Sequence, residues 1–561
     1  MKNKKFLYLL GVVPMVFGVA ACSNDSPSPN NQRKFHDQAE VNTLFDVVVN
    51  GEKAGHFCPS TGNTRALVIP VEFKDFPADE IGKWYNSETT NDRKAKKHPG
   101  GESRTGRSRE DTKEDIRKVF FGKPEETMWH SLSSYYKEAS YGKQNFNGLV
   151  TDWFKAYVDY ETMEWCTARQ WATSSSAPTI AANVLSYYTN ERMKKYHEFK
   201  KEDGSYMFNS GTEFLQYFDS DKDGVIDIIE MVYSAPFYAT YTNEKGEEVS
   251  IDNDKFWAYC GGVGNNGNKQ KPEMGKWAWQ SYYTLVEGGV MDNGTWREWT
   301  CDEICNGLAK VDAHTITHET GHGMGLPDYY DYDYKTSPAH SVDMMDHNVG
   351  DHNSYSKSLY GWVDPIVVTG PTQVTVRSFT DTGDCIYIPY RGYFEDNPKY
   401  GNTFNTEYIA VELYTPTGVN EQDSKQKYIG KYPLCPSEAG LKVWHVDSRL
   451  GLFNWDGSKL KFVDYTDQIV ATSSTSFVQV AASNTGSRTV NGFWHLNYMN
   501  SEEQSALQVI NDKTLWHAGD ILGDTDNYRH FTMNSGHAWG YKMVVDSLTA
   551  DSATITFYAD K

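Results

Sequence analysis

Apolar positions fall into three regimes along the chain. The first is an almost unbroken apolar run over residues 6–19, preceded by Lys2, Lys4 and Lys5. It is shorter than the ~20 residues a helix needs to span a bilayer. The second regime opens at residue 65 with Arg-Ala-Leu-Val-Ile-Pro-Val-Glu-Phe, whose apolar density suits a buried strand. A polar, basic, glycine-containing stretch over residues 87–109 reads as an exposed loop, and a helix is predicted over 110–121. Residues 133–140 give a second helix, ended near Gly142, and residues 228–233 form a run of strand length. In the third regime, from residue 372, short β-branched and aromatic runs are broken by Gly, Pro, Asn and Asp. Residues 373–377 and 553–557 there alternate as half-buried strands do. The pattern predicts an α+β unit over residues 62–365 and a β-rich unit over 366–561, with the boundary at the proline-containing stretch 365–371.

The N-terminus bears on compartment. A cationic start, an apolar run and small residues together form the layout of an export signal over residues 1–21. Val19-Ala20-Ala21-Cys22 resembles a bacterial lipobox, which implies lipidation of Cys22 and membrane attachment through that lipid. The expected location is therefore the bacterial cell envelope, at the outer membrane or cell surface. Residues 22–61 make a tether and N-terminal segment, Ser/Pro/Asn-rich over 23–31. The net charge of -21 argues against nucleic acid as a partner, because binding a polyanion requires a basic face. Eight cysteines include no C-x-x-C pair, so a cysteine-based zinc site is not expected; Cys301 and Cys305 lie one helical turn apart.

Candidate chemistry is concentrated in residues 311–328. His318 and His322, four apart on a helix, share a face and can each turn a ring nitrogen toward one metal ion. Glu319, beside the first of them, is placed to take a proton from a metal-activated water. Gly325 and Asp328 complete the pattern H-E-x-x-H-x-x-G-x-x-D. Glycine permits a positive-φ break at the helix end, after which the chain can bring Asp328 back as a third ligand. Three protein ligands leave one coordination position open, which is the catalytic arrangement of zinc. His314 lies one turn before His318 on the same face. A fourth protein ligand would close the site, so His314 is expected to support or pack.

This extended motif, with Asp in third place, resembles the metzincin-like immune inhibitor A family of secreted bacterial metallopeptidases. The likeness continues through residues 67–73, 133–142 (Ser-Ser-Tyr-Tyr-Lys-Glu-Ala-Ser-Tyr-Gly), 355–362 (Tyr-Ser-Lys-Ser-Leu-Tyr-Gly-Trp), 407–412 and 440–447. It implies a metzincin-like catalytic domain with a twisted sheet and a zinc helix, followed by a C-terminal β-sandwich. The implied activity is zinc-dependent hydrolysis of peptide bonds in proteins or peptides. A methionine turn beneath the metal is also implied, and Met345 in Asp343-Met-Met-Asp346 is the matching residue. The sequence departs from the family here, since Asp346 stands where a small residue is usual. By analogy with relatives that carry Tyr two residues after the methionine, His347 is a candidate oxyanion stabiliser. His445 and Asp447 alternate on an expected strand and are read as a structural pair bonded to one another.

A second cation site is expected earlier in the chain. Asp219, Asp221, Asp223, Asp227 and Glu230 occupy positions 1, 3, 5, 9 and 12 of a calcium-type loop, with Gly224 at the sixth and the Val225 carbonyl at the seventh. Because residues 228–233 read as a strand and not as an exit helix, Glu230 can be turned away from the ion. The function expected is a secreted or surface-anchored zinc endopeptidase of extracellular proteins, with Zn2+ and Ca2+ as cofactors. Two rivals are a glycan- or matrix-binding lipoprotein, suggested by 16 tryptophans and the β-rich C-terminal half, and an inactive zinc-bound adhesin. The intact Glu319 counts against the latter.

Overall fold

The computed structural model describes residues 57–85, 105–456 and 493–560, except 160–161, 175–176, 238–239, 243–247, 251–255, 265, 292, 397–405, 502–508 and 525–527. It adds the short stretches 32–34, 96–97, 459–463, 475–479 and 484–485. The expected signal segment 1–21 and Cys22 lie outside the described residues. The fold is mixed α and β with several sheets, as the pattern predicts.

The first sheet contains β1 (Gly62–Glu72), β2 (Gln144–Val150), β3 (Ile228–Tyr233), β4 (Tyr259–Gly262) and β5 (Lys276–Ser281), in the order β4-β5-β3-β1-β2. All neighbours run parallel except β4, which pairs antiparallel with β5 at the edge. Ala66, Val68, Ile228 and Val232 face one apolar layer; Leu67, Ile69, Ile229 and Met231 face another. The first layer is closed by α1 (Arg109–Phe121), α2 (Leu132–Ala139) and the later helix that carries the His-Glu motif. The second is closed by α3 (Ala177–Tyr188) and α4 (Gly211–Tyr217). With both faces covered, the central strands are apolar on both, which is why residues 65–73 and 228–233 show near-continuous runs instead of alternation.

The helix carrying the motif is α5 (His314–Gly323). Beyond it lie β6 (Ile366–Val368), β7 (Thr372–Arg377), β8 (Cys385–Pro389), β9 (Glu407–Tyr414), β10 (Gly440–Asp447) and β11 (Leu496–Tyr498). The last strands are β12 (Ile521–Leu522), β13 (Tyr541–Leu548) and β14 (Ser552–Ala559). One sheet has the order β6-β8-β9-β10-β11, and a strand at Gln32–Lys34 pairs antiparallel with β6. That strand falls in the expected N-terminal segment 22–61, just past the Ser/Pro/Asn-rich stretch 23–31. The other sheet has the order β7-β14-β13-β12.

Parity along these strands links the two halves of the chain. Ile386, Ile388, Ile409, Val411 and Val443 point toward Val376, Val545 and Ile555 of the neighbouring sheet. Tyr387, Tyr408, Ala410, Trp444 and Val446 point the other way, into the layer that also holds Ile316 of α5 and Tyr136 of α2. Fully burying a large apolar side chain stabilises by roughly 1.5–3 kcal/mol. Several such residues at this junction weld the halves together. The boundary at 365–371 is therefore a change of element type along the chain and not a gap in the core. The described cysteines are all free thiols.

Candidate metal centre

α5 presents its chemistry because its other faces are packed. Ile316 and Met324 join the apolar layer, and Gly321 meets the short helix Met344–His347 so closely that a Cβ there would fall 2.5 Å from Met345 Sδ. Met345 thus lies directly against the helix that carries the motif, and a side chain at 321 would have to push the Met345 thioether aside. The helix ends at Gly325, whose φ of +108° lies in the region L side chains avoid. Leu326 N then bonds the Gly321 carbonyl at 3.1 Å and Tyr329 N bonds the Met345 carbonyl at 2.8 Å, returning Asp328 to the histidines.

His318, His322 and Asp328 come together as a group that can hold a metal ion, their ligand atoms all within 4.8 Å. Asp328 Oδ1 stands 2.9 Å from His318 Nε2 and 3.1 Å from His322 Nε2, and the two Nε2 atoms are 3.1 Å apart. The tautomers follow from the outer nitrogens. His318 Nδ1 lies 2.8 Å from the Met344 carbonyl and His322 Nδ1 lies 2.7 Å from the Leu326 carbonyl. A carbonyl only accepts, so both Nδ1 atoms carry protons and each ring presents its Nε2 to the carboxylate. Three acceptors crowded at ~3 Å repel unless a cation or proton lies among them. Burial lowers the His322 basicity, but the Asp328 charge outweighs it and holds the ring up to about 9. Burial alone would raise the Asp328 carboxyl, yet the His322 charge and the hydrogen bonds from both rings hold it well below its ordinary value. Its other oxygen accepts from the Tyr332 hydroxyl.

Glu319 is buried next to this group, and its Oε2 has no hydrogen-bond partner. Burial pushes its carboxyl up, with His318 and His322 opposing and Asp328 adding to the rise. These residues form one wall of a cavity of about 900 Å³, whose other walls include Trp257, Tyr259, Tyr330 and Lys431. His347 also lines it, with Nδ1 2.5 Å from Asp346 Oδ1, and Asp346 Oδ2 accepts from Ser341 N at 2.9 Å. Asp346, the residue out of keeping with the family pattern, thus orients His347. Tyr332 and the Met344 carbonyl were not legible as site groups, because a carbonyl leaves no side-chain signature and a tyrosine is common everywhere.

The acidic loop assembles in part. Asp219, Asp221 and Asp227 form a second group that can hold a metal ion, and Asp219 Oδ1 is buried without a partner. Asp227 accepts from Arg65 N and from Ser220, pinning the loop to β1. Asp223 instead accepts from Val225 N at 2.8 Å, and Val225 lies in a two-residue strand paired with Glu273–Met274. Glu230 corrects the loop reading. It shares the parity of Ile228 and Val232 on β3, so it faces α5, where its Oε1 lies 2.9 Å from Thr320 Oγ1. It stands apart from the acidic group.

Two further histidines depart from expectation or refine it. His445 does not bond Asp447; its Nε2 lies 2.7 Å from Glu407 Oε1, while Asp447 holds Arg449 and Asn534. The antiparallel register of β9 and β10 sets Glu407 opposite Asp447, which brings that carboxylate within reach of His445. His314 is fully buried between Asp312 at 2.6 Å and Asp423 at 3.3 Å, stacked on Trp129 at 3.8 Å, and takes no part in the metal group. Comparison with protein-family models and with curated proteins finds no match to this chain.

Proposed function

We propose that the chain is a zinc-dependent endopeptidase, exported and lipid-anchored at the bacterial cell surface, and similar to the immune inhibitor A family. The observation that carries the reading is the meeting, at one cavity wall, of two Nε2 atoms, one carboxylate oxygen and the unpartnered Glu319 Oε2. Two imidazole nitrogens and one carboxylate oxygen suit a catalytic zinc site. His318, His322 and Asp328 would hold a zinc ion, which would supply Lewis acidity toward a scissile carbonyl and a water molecule. Glu319 takes a proton from the attacking water and returns it to the leaving amine, so one carboxyl serves as base and then acid. Burial pushes its carboxyl up, the direction that helps one group serve as base and then as acid. His347, aimed by Asp346, is proposed to donate to the developing oxyanion.

Among the described residues β4 is an edge strand, and its Tyr259 and Cys260 line the cavity, so an extended peptide is proposed to add to it as a further strand. In this reading the first half is a metzincin-like domain with Met345 as its methionine floor, and the two C-terminal sheets form a β-sandwich. Asp219, Asp221 and Asp227, offering oxygens alone, are proposed to bind calcium in a structural role. The test is digestion of denatured protein and of a peptide library, with and without chelator, by wild type and Glu319→Ala. Chelator-sensitive cleavage is expected, falling about 10²–10⁴-fold in the variant while its metal is retained. Wild-type turnover by Glu319→Ala would refute the assignment of the base. Metal-loaded wild type that cleaves nothing would favour the adhesin.

A further inference from the structure

We propose that Glu230 is a positioning residue for the catalytic carboxyl: as a protonated side chain it donates to Thr320 Oγ1 and fixes the turn of α5 that presents Glu319. The role given to Glu319 rests on the peptidase reading; the hydrogen bonding does not. Glu230 is 1% exposed, in the middle of β3. Its Oε1 is 2.9 Å from Thr320 Oγ1, which is itself 2.8 Å from the Ile316 carbonyl oxygen. A threonine hydroxyl has one proton and a carbonyl oxygen only accepts. When Thr320 bonds back to Ile316, as helical threonines commonly do, the second contact is a hydrogen bond only if Glu230 supplies the proton. An ionised Glu230 would instead compete for the hydroxyl proton and release the helical turn next to Glu319.

The surroundings favour the neutral form. Glu319 faces Glu230 from α5, Tyr136 from α2, Cys58 from the segment ahead of β1, and Cys260 from β4. None is a cation, and among the described residues no Lys, Arg or His forms an ion pair with Glu230. Burial above all, with the Glu319 charge in support and the Thr320 bond opposed, pushes the Glu230 carboxyl up to about 8. Below that value the protein keeps a second negative charge away from the back of Glu319.

The test uses the full metal-loaded protein and its kcat–pH profile on a cleaved peptide, for wild type, Glu230→Gln and Glu230→Leu. Wild type should lose kcat along a limb near pH 8. The Gln variant donates through its amide and cannot ionise. It should keep kcat at neutral pH within about threefold and move that limb up by at least about one unit. The Leu variant, with no donor, should lower kcat about tenfold with KM and metal content unchanged. A limb identical in wild type and Glu230→Gln overturns the proposal. Infrared difference spectra of wild type against Glu230→Gln decide the matter without any turnover, and also if the Leu variant fails to fold. A band from a buried protonated carboxyl is expected at neutral pH and should vanish in alkali; its absence overturns the proposal. That band without any peptide cleavage would sink the peptidase reading alone.

Discussion

His314 and His318 stand one turn apart on the same helix, and they do opposite things. His314 has a carboxylate on each ring nitrogen, an indole against its face and no route to solvent. His318 has one nitrogen fixed by a carbonyl and the other facing His322, Asp328 and an open cavity. Burial is common to both. The difference is whether the surrounding structure satisfies the second nitrogen or leaves it pointing at other acceptors. A closed histidine is a strut, and one left open among acceptors is placed to take a metal ion.

The comparison can be broken by exchanging the outcomes. The largest effect should follow loss of the open histidine or its partner. His318→Ala and Asp328→Ala should each lose the metal, and with it all turnover, while melting near the temperature of metal-free wild type; metal analysis of the purified variants checks this. His314→Ala should do the reverse. It leaves Asp312 and Asp423 buried without their counter-charge, which costs about 3–5 kcal/mol, yet the folded fraction should keep its metal. Denaturant unfolding measures the first quantity, and loss of metal from this variant would erase the distinction.

A smaller effect lies in the pH dependence of stability. Burial depresses His314, but the charges of Asp312 and Asp423 prevail and hold it up to about 10. The folded value is above the ~6.5 of a free imidazole, so its stabilising contribution is complete below that pH and lost as pH rises toward 10. The gap in melting temperature between wild type and His314→Gln should therefore narrow over that range. A constant gap would mean the ring is neutral in the folded state.

The smallest effect is expected at the acidic loop. Calcium binding only the folded state stabilises by about 2.7 kcal/mol at one hundred times its dissociation constant. Asp219→Ala with Asp221→Ala should abolish that calcium-dependent rise in melting temperature without displacing zinc. A wild-type midpoint indifferent to calcium would leave the loop as an acidic turn tied to β1 by Asp227.

Much of this was legible in the residues. The spacing of His318, Glu319 and His322 fixes them on neighbouring faces of one helix, because helical periodicity is local and needs no partner. Gly325 announced the break that returns Asp328, since few other residues tolerate its φ of +108°. The run over residues 228–233 likewise declared a strand. What spacing could not say is where a strand residue points relative to a loop outside the sheet. Glu230 fits a calcium pattern by count, but the parity of β3 commits it to α5.

Local periodicity and backbone preference thus set the elements, the metal-binding motif and the acidic turn from sequence alone. Tertiary structure decided the rest: that His445 meets Glu407, that His314 is sealed between Asp312 and Asp423, and that the Met344 carbonyl orients His318. Apart from Asp312, two residues before His314, these partners lie on separate elements, Asp423 more than a hundred positions away. Such partners are chosen by how sheets and helices pack, and packing is a property of the whole core that no local pattern encodes.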